Sequence, residues 1–518
     1  MRIVTGDEMR RIDNAAIKER GIAGLKLMER AGQSVTNIVL ARLIPRNVTV
    51  VTGKGNNAGD GFVVARLLKK AGLNVTILML APEKDLSGDA LTNFQALSSE
   101  IPRYLCENEE QISMNLEGCE CVIDAMLGTG VKGDLRGVFA KAVKAINVSG
   151  KTVVAVDIPS GLPSDVTYFN GLCVHADFTV TMGLPKLGMM QHPASRWCGE
   201  IVIADIGFPR DLMEAPRPSR CNLITPKMVR EKLPERPSHA HKGSFGSVLV
   251  TGGSAGMTGA AVMTALSAAR SGAGLVFVAI PESLNQIFEI KLTEPLTIPL
   301  ATEKPGTPDI KMFPVLKEKA KQCVSMALGP GMGRDPGTVQ LIRETFKNIE
   351  IPVVLDADGL NAFEGACGSI RKRSAPAVLT PHPGEFARLL KMDIVEVQKK
   401  RIELSREFAS EYNKILVLKG AGTVIAEPGG EVFISSAGNT SLSKGGSGDV
   451  LTGLIAGFLA QGVRPLDSAV MGVYIQGLAG EWAGWRKSNR AVLPGDMLEI
   501  LPEVFSWLDP GKKPHVLD

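Results

Sequence analysis

The sequence predicts an α/β protein of two domains, each built on a largely parallel, doubly wound sheet. Three observations carry this reading. The chain has 518 residues, more than the ~100–200 that one hydrophobic core usually serves. Apolar β-branched runs alternate with helical patterns both before and after Gly207. Between the two series, residues 208–242 hold six prolines and many charges with little periodicity.

In the first series, NVTVVT (Asn47–Thr52) reads as a buried strand, a Gly-rich loop follows, and residues 61–71 carry helical periodicity. Further strands are expected over 74–80, 121–125 and 152–157. The proline-rich stretch reads as the connection, with one short helix near 227–233. The second series opens with a strand over 247–251. Strands over 275–280, 324–328, 352–355, 377–380 and 415–419 follow, then a hairpin across 423–435 turning at Pro428-Gly429-Gly430. The expected boundaries are 1–212 for the first domain, 213–223 for a linker and 224–510 for the second.

Composition excludes several function classes. Hydrophobic residues at 44% and charged residues at 22% are an ordinary globular balance. Aromatics at 5% are thin for a surface that stacks bases, and a net charge of +4 is dilute over this length. Nucleic acid and membrane partners are not expected. The apolar run from Val450 to Ala460 is much shorter than the ~20 residues that cross a bilayer. The opening MRIVTGDEMRRIDNAA carries charges where a signal peptide needs an apolar run. Of eight cysteines only Cys119 and Cys121 lie close together, which makes neither a disulfide framework nor a zinc site. A reducing cytoplasm is expected.

The first candidate site grows from VTGKGNNAGDGFVVARLL (Val51 to Leu68). Glycines after a strand let the backbone approach a ligand, and the following helix offers N–H groups to an anion. The spacing of Gly53, Gly55 and Gly59 departs from the G-x-G-x-x-G of redox dinucleotide domains. The carboxylate nearest the end of the next strand, Glu83, lies beyond Pro82, so hydride transfer is disfavoured. VIDAMLGTGVKGDLRG places Asp124 at a second strand end, and VVAVDIPSGLPSD places Asp157 and Ser160 at a third. Each carboxylate alone is equally well read as a cap or turn former. Three of them, each beside a Gly-containing loop, point to one crevice beyond the strand ends.

Together with LMERAG, VTMGLPKLGM and IADIGFP, these motifs resemble the epimerase domain of the NAD(P)H-hydrate repair family, from about Met1 to Arg210. The resemblance implies a Rossmann-like domain that interconverts the R and S epimers of NADH or NADPH hydrated at carbon 6. It implies that Asn56, Asn57, Ala58, Gly59 and Asp60, with Gly128, Thr129, Gly130, Val131, Lys132, Gly133 and Asp134, hold the hydrate. Asp157 would stand beside the nicotinamide-derived ring as general acid/base, a role that suits a partly buried carboxylate. Asn57, Asp124 and Ser160 would ligate potassium, a hard cation matched by oxygen donors. The family often has glycine where Ala58 stands. A positive φ there would cost alanine ~1 kcal/mol.

The second candidate site centres on NTSLSKGGSGDVLTGLIAGFLAQG (Asn439 to Gly462). Gly445, Gly446 and Gly448 lead into an apolar helix whose free amides suit a migrating phosphoryl group. Asp449 falls in its first turn, where a carboxylate can take the proton of an attacking hydroxyl. Alone, such a Gly-x-Gly-Asp is better read as a capped helix start. Its companions are KGSFGSVLVTGGSAGMTGAA from Lys242, LGPGMG from Leu328, LDADGLNAF from Leu355, LTPHPGEFARLL from Leu379 and VLKGAGTVI from Val417. In this order they resemble the ribokinase-like dehydratase of the same repair family, over roughly Ile224 to Pro510.

That resemblance implies that Lys419, Gly420, Ala421, Gly422 and Thr423 surround the nucleotide. With them would stand Asn439, Thr440, Ser441, Leu442, Ser443, Lys444, Gly445, Gly446, Ser447 and Gly448. Ala260, Gly331, His382, Pro383, Gly384, Glu385, Phe386, Ala387 and Arg388 would contact the S hydrate, with Asp449 as base. Hydroxide leaves poorly, so the 6-hydroxyl is first phosphorylated by ADP or ATP, ADP being preferred, with magnesium screening the phosphates. Phosphate then departs and the dihydronicotinamide returns; ADP yields AMP. His382 is assigned to substrate rather than metal, because no second histidine stands at a ligand spacing. Asp356 and Asp358 either sit near the metal or shape the turn; both readings stay open. The rival reading is a ribokinase-type small-molecule kinase fused to a nucleotide-binding module. The family resemblance also implies a homo-oligomer.

Overall fold

The computed structural model describes residues 1–130 and 133–509, which fall into two compact units divided between Cys221 and Asn222. In the first unit, seven strands lie in one parallel sheet. Their order is Arg103–Leu105, Asn74–Met79, Asn47–Thr52, Cys121–Ala125, Thr152–Val156, Phe178–Met182 and Glu200–Ala204. The chain builds outward from Asn47–Thr52 in one direction, then restarts beside it at Cys121–Ala125 and builds in the other. That reversal opens a crevice at the carboxyl ends of these two strands, where ligands of open α/β sheets bind. Successive residues bury on opposite faces: Val50 and Ile123 join one apolar cluster, Val51 and Val122 the other.

The helix after the first strand spans Asn56–Lys70 and so begins five residues before the expected start at Gly61. Its glycines are contact points rather than loop formers. A Cβ on Gly59 would lie 2.5 Å from the Met28 sulfur, and one on Gly61 2.6 Å from Ala125 Cβ. Ala58 is fully buried inside this helix and keeps a negative φ, so alanine pays no backbone penalty there.

In the second unit, strands are ordered Val432–Ile434, Val424–Ala426, Ile415–Leu418, Ala377–Leu379, Val353–Leu355, Ser325–Leu328, Ser247–Thr251, Leu275–Pro281 and Leu296–Leu300. All run in one direction except Val424–Ala426, which is antiparallel to both its neighbours in the hairpin. The reversal here falls between Ser247–Thr251 and Ser325–Leu328. The apolar helix Ser447–Ala460 packs on Thr258–Arg270, with Gly453 against Ser267 and Gly457 against Ser271. A larger residue at either position would push the two helices apart.

The proline-rich stretch carries more regular structure than expected: helices Arg210–Glu214 and Pro226–Arg230 flank the strand Cys221–Leu223. The second helix is stopped at its start by Thr225, whose hydroxyl accepts from the Met228 amide, with Pro226 in the first turn. No helix among the described residues is long and apolar enough to cross a membrane.

Candidate active sites

In the first unit a cavity of about 580 Å³ opens at the sheet reversal. Asn56, Asn57, Asp60, Gly128, Thr129, Gly130 and Asp157 all line it. Ala58 and Gly59 lie buried in the helix behind this wall. Gly133 and Asp134 are exposed and do not line the cavity, and Val131 and Lys132 fall outside the described residues.

Asp157 follows the strand Thr152–Val156 with φ +67°, a left-handed conformation that aspartate tolerates better than most residues. Its Oδ1 accepts from the Met182 amide at 3.0 Å and from the Thr181 hydroxyl at 3.3 Å. The ammonium of Lys186, whose side chain is fully buried, also donates to this oxygen. Lys186 Nζ further donates to Thr181 Oγ1 at 2.8 Å and to the Met182 carbonyl at 3.2 Å, so its three protons are used. Three more carboxylates, Asp13, Asp60 and Asp89, line the same cavity. Burial pushes the Asp60 carboxyl well above its usual range, with Asp157 and Asp13 adding to the rise and Lys186 opposing it. Asp13 is raised by burial, then by Asp157 and Asp89.

Asp124 and Ser160 are fully buried beside the cavity wall. The Ser160 amide donates to Asp124 Oδ2 at 2.7 Å and its hydroxyl to Oδ1 at 2.6 Å. Asn57 Nδ2 donates to the Leu127 carbonyl at 3.1 Å, and Ser160 Oγ lies 3.2 Å from the same oxygen. Asn57 and Ser160 therefore meet at the Leu127 carbonyl, and Asp124 is bonded to Ser160. Asp124, Ser160 and Leu127 supply oxygens carrying one formal charge, which suits potassium, whereas Asn57 turns its amide nitrogen toward the carbonyl. Burial lifts the Asp124 carboxyl to about 6, although bonds from Ser160 and the Met126 amide hold it back.

In the second unit Asp449 stands in the first turn of Ser447–Ala460, after Gly446 with φ +101°. At position 448 the backbone runs close to the charged pair: a Cβ would lie 3.2 Å from Lys419 Nζ and 3.5 Å from Asp356 Oδ2. Lys419 Nζ lies 2.7 Å from Asp356 Oδ1 and 3.9 Å from Glu385 Oε2. Asp356 Oδ2 accepts from the Thr452 hydroxyl at 2.8 Å. Asp356 thus joins the Lys419 turn to the Asp449 helix. Asp358 instead shapes a loop: its Oδ2 accepts from the Gly333 amide at 2.8 Å.

Burial raises the Asp449 carboxyl to about 7, with Asp356, Asp358 and Glu385 adding and Lys419 opposing. Glu385 is raised mainly by burial as well. Burial would lower the Lys419 ammonium, but Asp356, Glu385 and Asp449 raise it above its ordinary value.

His382 caps the helix Pro383–Leu390: its Nδ1 accepts from the amides of Gly384 at 3.0 Å and Glu385 at 3.4 Å. Glu385 answers by accepting from the His382 amide at 2.8 Å, a reciprocal cap that fixes the turn. Burial, then Lys419 and Arg388, lower the His382 imidazole, in keeping with the acceptor role of Nδ1. Ala260 and Gly331 are adjacent, since a Cβ on Gly331 would lie 2.9 Å from Ala260 Cβ.

Not every residue of the expected segments faces outward. Phe386 is fully buried with its ring edge-on to Phe408, 5.4 Å between centroids, so it packs the core instead of touching a substrate. Ser441 is likewise fully buried and donates to the Gly480 carbonyl at 2.7 Å, tying down the loop that Thr440, Ser443, Lys444 and Gly445 expose. The sequence reasoning missed Lys186, although VTMGLPKLGM contains it, and it missed Asp13 and Asp89.

A family model described as NAD(P)H-hydrate dehydratase matches residues 248–503, and one described as YjeF-related protein N-terminus matches residues 24–188. The bifunctional NAD(P)H-hydrate repair enzyme Nnr of Moorella thermoacetica is 39% identical over 517 residues, covering 98% of this chain and 97% of the relative. The enzyme of the same name from Thermofilum pendens is 35% identical over 513 residues, covering 98% and 97%. Among solved structures, the ADP/ATP-dependent NAD(P)H-hydrate dehydratase from Bacillus subtilis, co-crystallized with ATP/Mg2+, is 32% identical. It covers 56% of this chain and 99% of its own, with a TM-score of 0.48.

Proposed function

The chain belongs to the family of bifunctional NAD(P)H-hydrate repair enzymes, and we propose from this premise how its two units act in turn on one damaged cofactor. It is an NAD(P)H-hydrate epimerase joined to a nucleotide-dependent NAD(P)H-hydrate dehydratase. We assign the epimerase to residues 1–212 and the dehydratase to 224–510, joined by 213–223.

In the epimerase, Asn56, Asn57, Asp60, Gly128, Thr129 and Gly130 receive the hydrate, and Asp157 carries the proton as the 6-hydroxyl leaves and returns or the ring opens. The observation behind this role is the Lys186 ammonium, which keeps the carboxylate aimed at one point of the cavity wall. Asn57, Asp124, Ser160 and the Leu127 carbonyl would hold potassium, whose charge offsets the clustered acids and the substrate phosphates.

In the dehydratase, Asp449 takes the proton of the 6-hydroxyl as that oxygen attacks the terminal phosphorus of ADP. The bond to the departing nucleotide breaks and AMP leaves. The C6–O bond then breaks with phosphate as leaving group, the ring nitrogen pushing electrons in, and loss of a C5 proton restores the dihydronicotinamide. Amides at the start of Ser447–Ala460 face the migrating group. Magnesium bound with the nucleotide would screen its phosphates. ADP is the donor we favour over ATP. The single observation that carries this half is Asp449 in the first turn, coupled to Lys419 and Asp356. Supplying S NADH hydrate and ADP tests it. Return of the near-ultraviolet absorbance of NADH supports the dehydratase, whereas a stable phosphate ester would point to a small-molecule kinase.

We place the enzyme in a reducing cytoplasm as a homo-oligomer. Seven of its eight free cysteines are buried thiols, in keeping with that compartment.

A further inference from the structure

Arg401 opens the helix Arg401–Tyr412 and is only 3% exposed, so its guanidinium is buried. Its Nη2 donates to the Leu418 carbonyl at 2.9 Å and to the Lys419 carbonyl at 3.2 Å, the two that precede Gly420. Nη1 donates to Gln398 Oε1 at 3.0 Å, while Nε is buried without a hydrogen-bond partner. Every acceptor is neutral, and among the described residues no carboxylate pairs with this cation. Burial pushes the guanidinium down to about 10. A charge taken out of water without a counter-charge is costly to the fold. Its place in the site accounts for its being there.

The turn after strand Ile415–Leu418 is shaped around Arg401. Gly420 has φ +138°, which suits glycine, and a Cβ there would lie 3.2 Å from Nη1 and 3.3 Å from Nη2. The backbone thus rests on the guanidinium, while Gly420 and Ala421 are open to solvent. Lys419, whose carbonyl Arg401 holds, sends its ammonium to Asp356, 2.7 Å away. Asp356 in turn accepts from Thr452 on the Asp449 helix. One buried cation therefore stands behind the turn assigned to the nucleotide and fixes the backbone of a lysine coupled to the proposed base.

We propose that Arg401 is a positioning residue for the phosphoryl donor: it fastens the turn 419–423 from behind, and the phosphates of the bound nucleotide supply the counter-charge that the protein withholds. The proposal rests on the assignment of that turn to the nucleotide in the dehydratase reading. It gives a reason for a neutral Gln398 beneath Nη1, since a carboxylate there would neutralise the charge inside the fold.

The test reads ADP affinity in two ways on the full chain with magnesium. One is the KM for ADP at saturating S NADH hydrate, the other the ADP concentration giving half-maximal thermal stabilisation. Arg401→Gln removes the charge and should raise both values roughly tenfold, with the hydrate KM held within about twofold. Arg401→Lys keeps the charge and should return both values to within about threefold of wild type. Gln398→Glu alters an exposed side chain, leaves the guanidinium in place and gives it a counter-charge; both values should rise about threefold. This third variant decides the matter if the buried position tolerates no substitution. ADP values unchanged in Gln398→Glu overturn the proposal. So does a hydrate KM that rises as much as that for ADP, or an Arg401→Lys protein no better than Arg401→Gln. A wild type stabilised by ADP that turns over no hydrate sinks the dehydratase reading alone, and the stabilisation series still decides the role of Arg401.

Discussion

The ammonium of Lys186 is fully buried and bonds to Oδ1 of Asp157, which leaves its strand at φ +67°. A non-glycine residue in that conformation stores about 1–3 kcal/mol unless its surroundings hold it. Here the lysine, the Thr181 hydroxyl and the Met182 amide all converge on one carboxylate oxygen. Strained backbone and buried charge serve the same end, a carboxylate with a fixed aim.

Replacing Lys186 with Met leaves that aim unsupported. The expected outcome is R-to-S conversion slowed at least tenfold while the hydrate still binds, with dehydration of S hydrate unaffected. Removing one partner of a buried pair costs 3–5 kcal/mol, and Asp157 at 18% exposure places this case at the lower end. Chemical denaturation followed with a probe in the first unit reads the loss.

In the proposed dehydratase Asp449 serves as base, and burial lifts its carboxyl to about 7, so kcat/KM should rise with pH through that value. Asp449→Asn should lower the rate at least a hundredfold, in the range of lost general-base catalysis. The same change should raise the melting temperature. A carboxyl raised by burial keeps its full stabilising share only below about pH 4, its unfolded range, and loses it as pH climbs through 7. Asparagine carries no such loss, so the gain should be larger at pH 8 than at pH 5.

The proposed potassium site lies in the first unit. Ser160→Ala removes one oxygen donor and should raise the potassium concentration for half-maximal epimerisation. Asp124 titrates at about 6, so wild-type demand for potassium should also climb as pH falls below that value. A potassium titration at pH 5.5 and pH 7.5 reads both effects.

Lys419→Met removes the cation between Asp356 and Glu385, leaving carboxylates facing one another. The loss should be about 3 kcal/mol or more. It should shrink as pH is lowered through about 7, where the Asp449 carboxyl takes up a proton. Thermal melts of variant and wild type across that range measure the difference.

The sequence announced the buried strands plainly, because β-branched runs such as NVTVVT, whose valines bury on both faces, suit a central strand in a sheet covered on both sides. Edge and late strands were harder. Arg103–Leu105 and Leu296–Leu300 are short or half exposed, and Glu200–Ala204 buries fully only its last residue. Phe178–Met182 is well buried, but its five residues lie among glycines and prolines that read as loop. The helix start at Asn56 was misjudged because glycine there marks close packing on Met28 and Ala125, which spacing alone does not reveal. Asp124 and Asp157 at strand ends and Asp449 at a helix start were legible beside their Gly-containing loops, and the family resemblance supplied their roles. Lys186 and the link from Asp356 to Lys419 join residues 29 and 63 positions apart, and no local pattern encodes such pairings.

The central claim is that two sites act in series on one cofactor. Its most direct measurement gives the full chain an equilibrated mixture of R and S NADH hydrates with ADP, magnesium and potassium, and follows NADH absorbance to its end point. The account predicts complete conversion in wild type and, in Asp157→Asn, a fast phase that ends with the S epimer followed by a much slower one. A wild-type plateau at the S fraction, or full wild-type kinetics in Asp157→Asn, would contradict it.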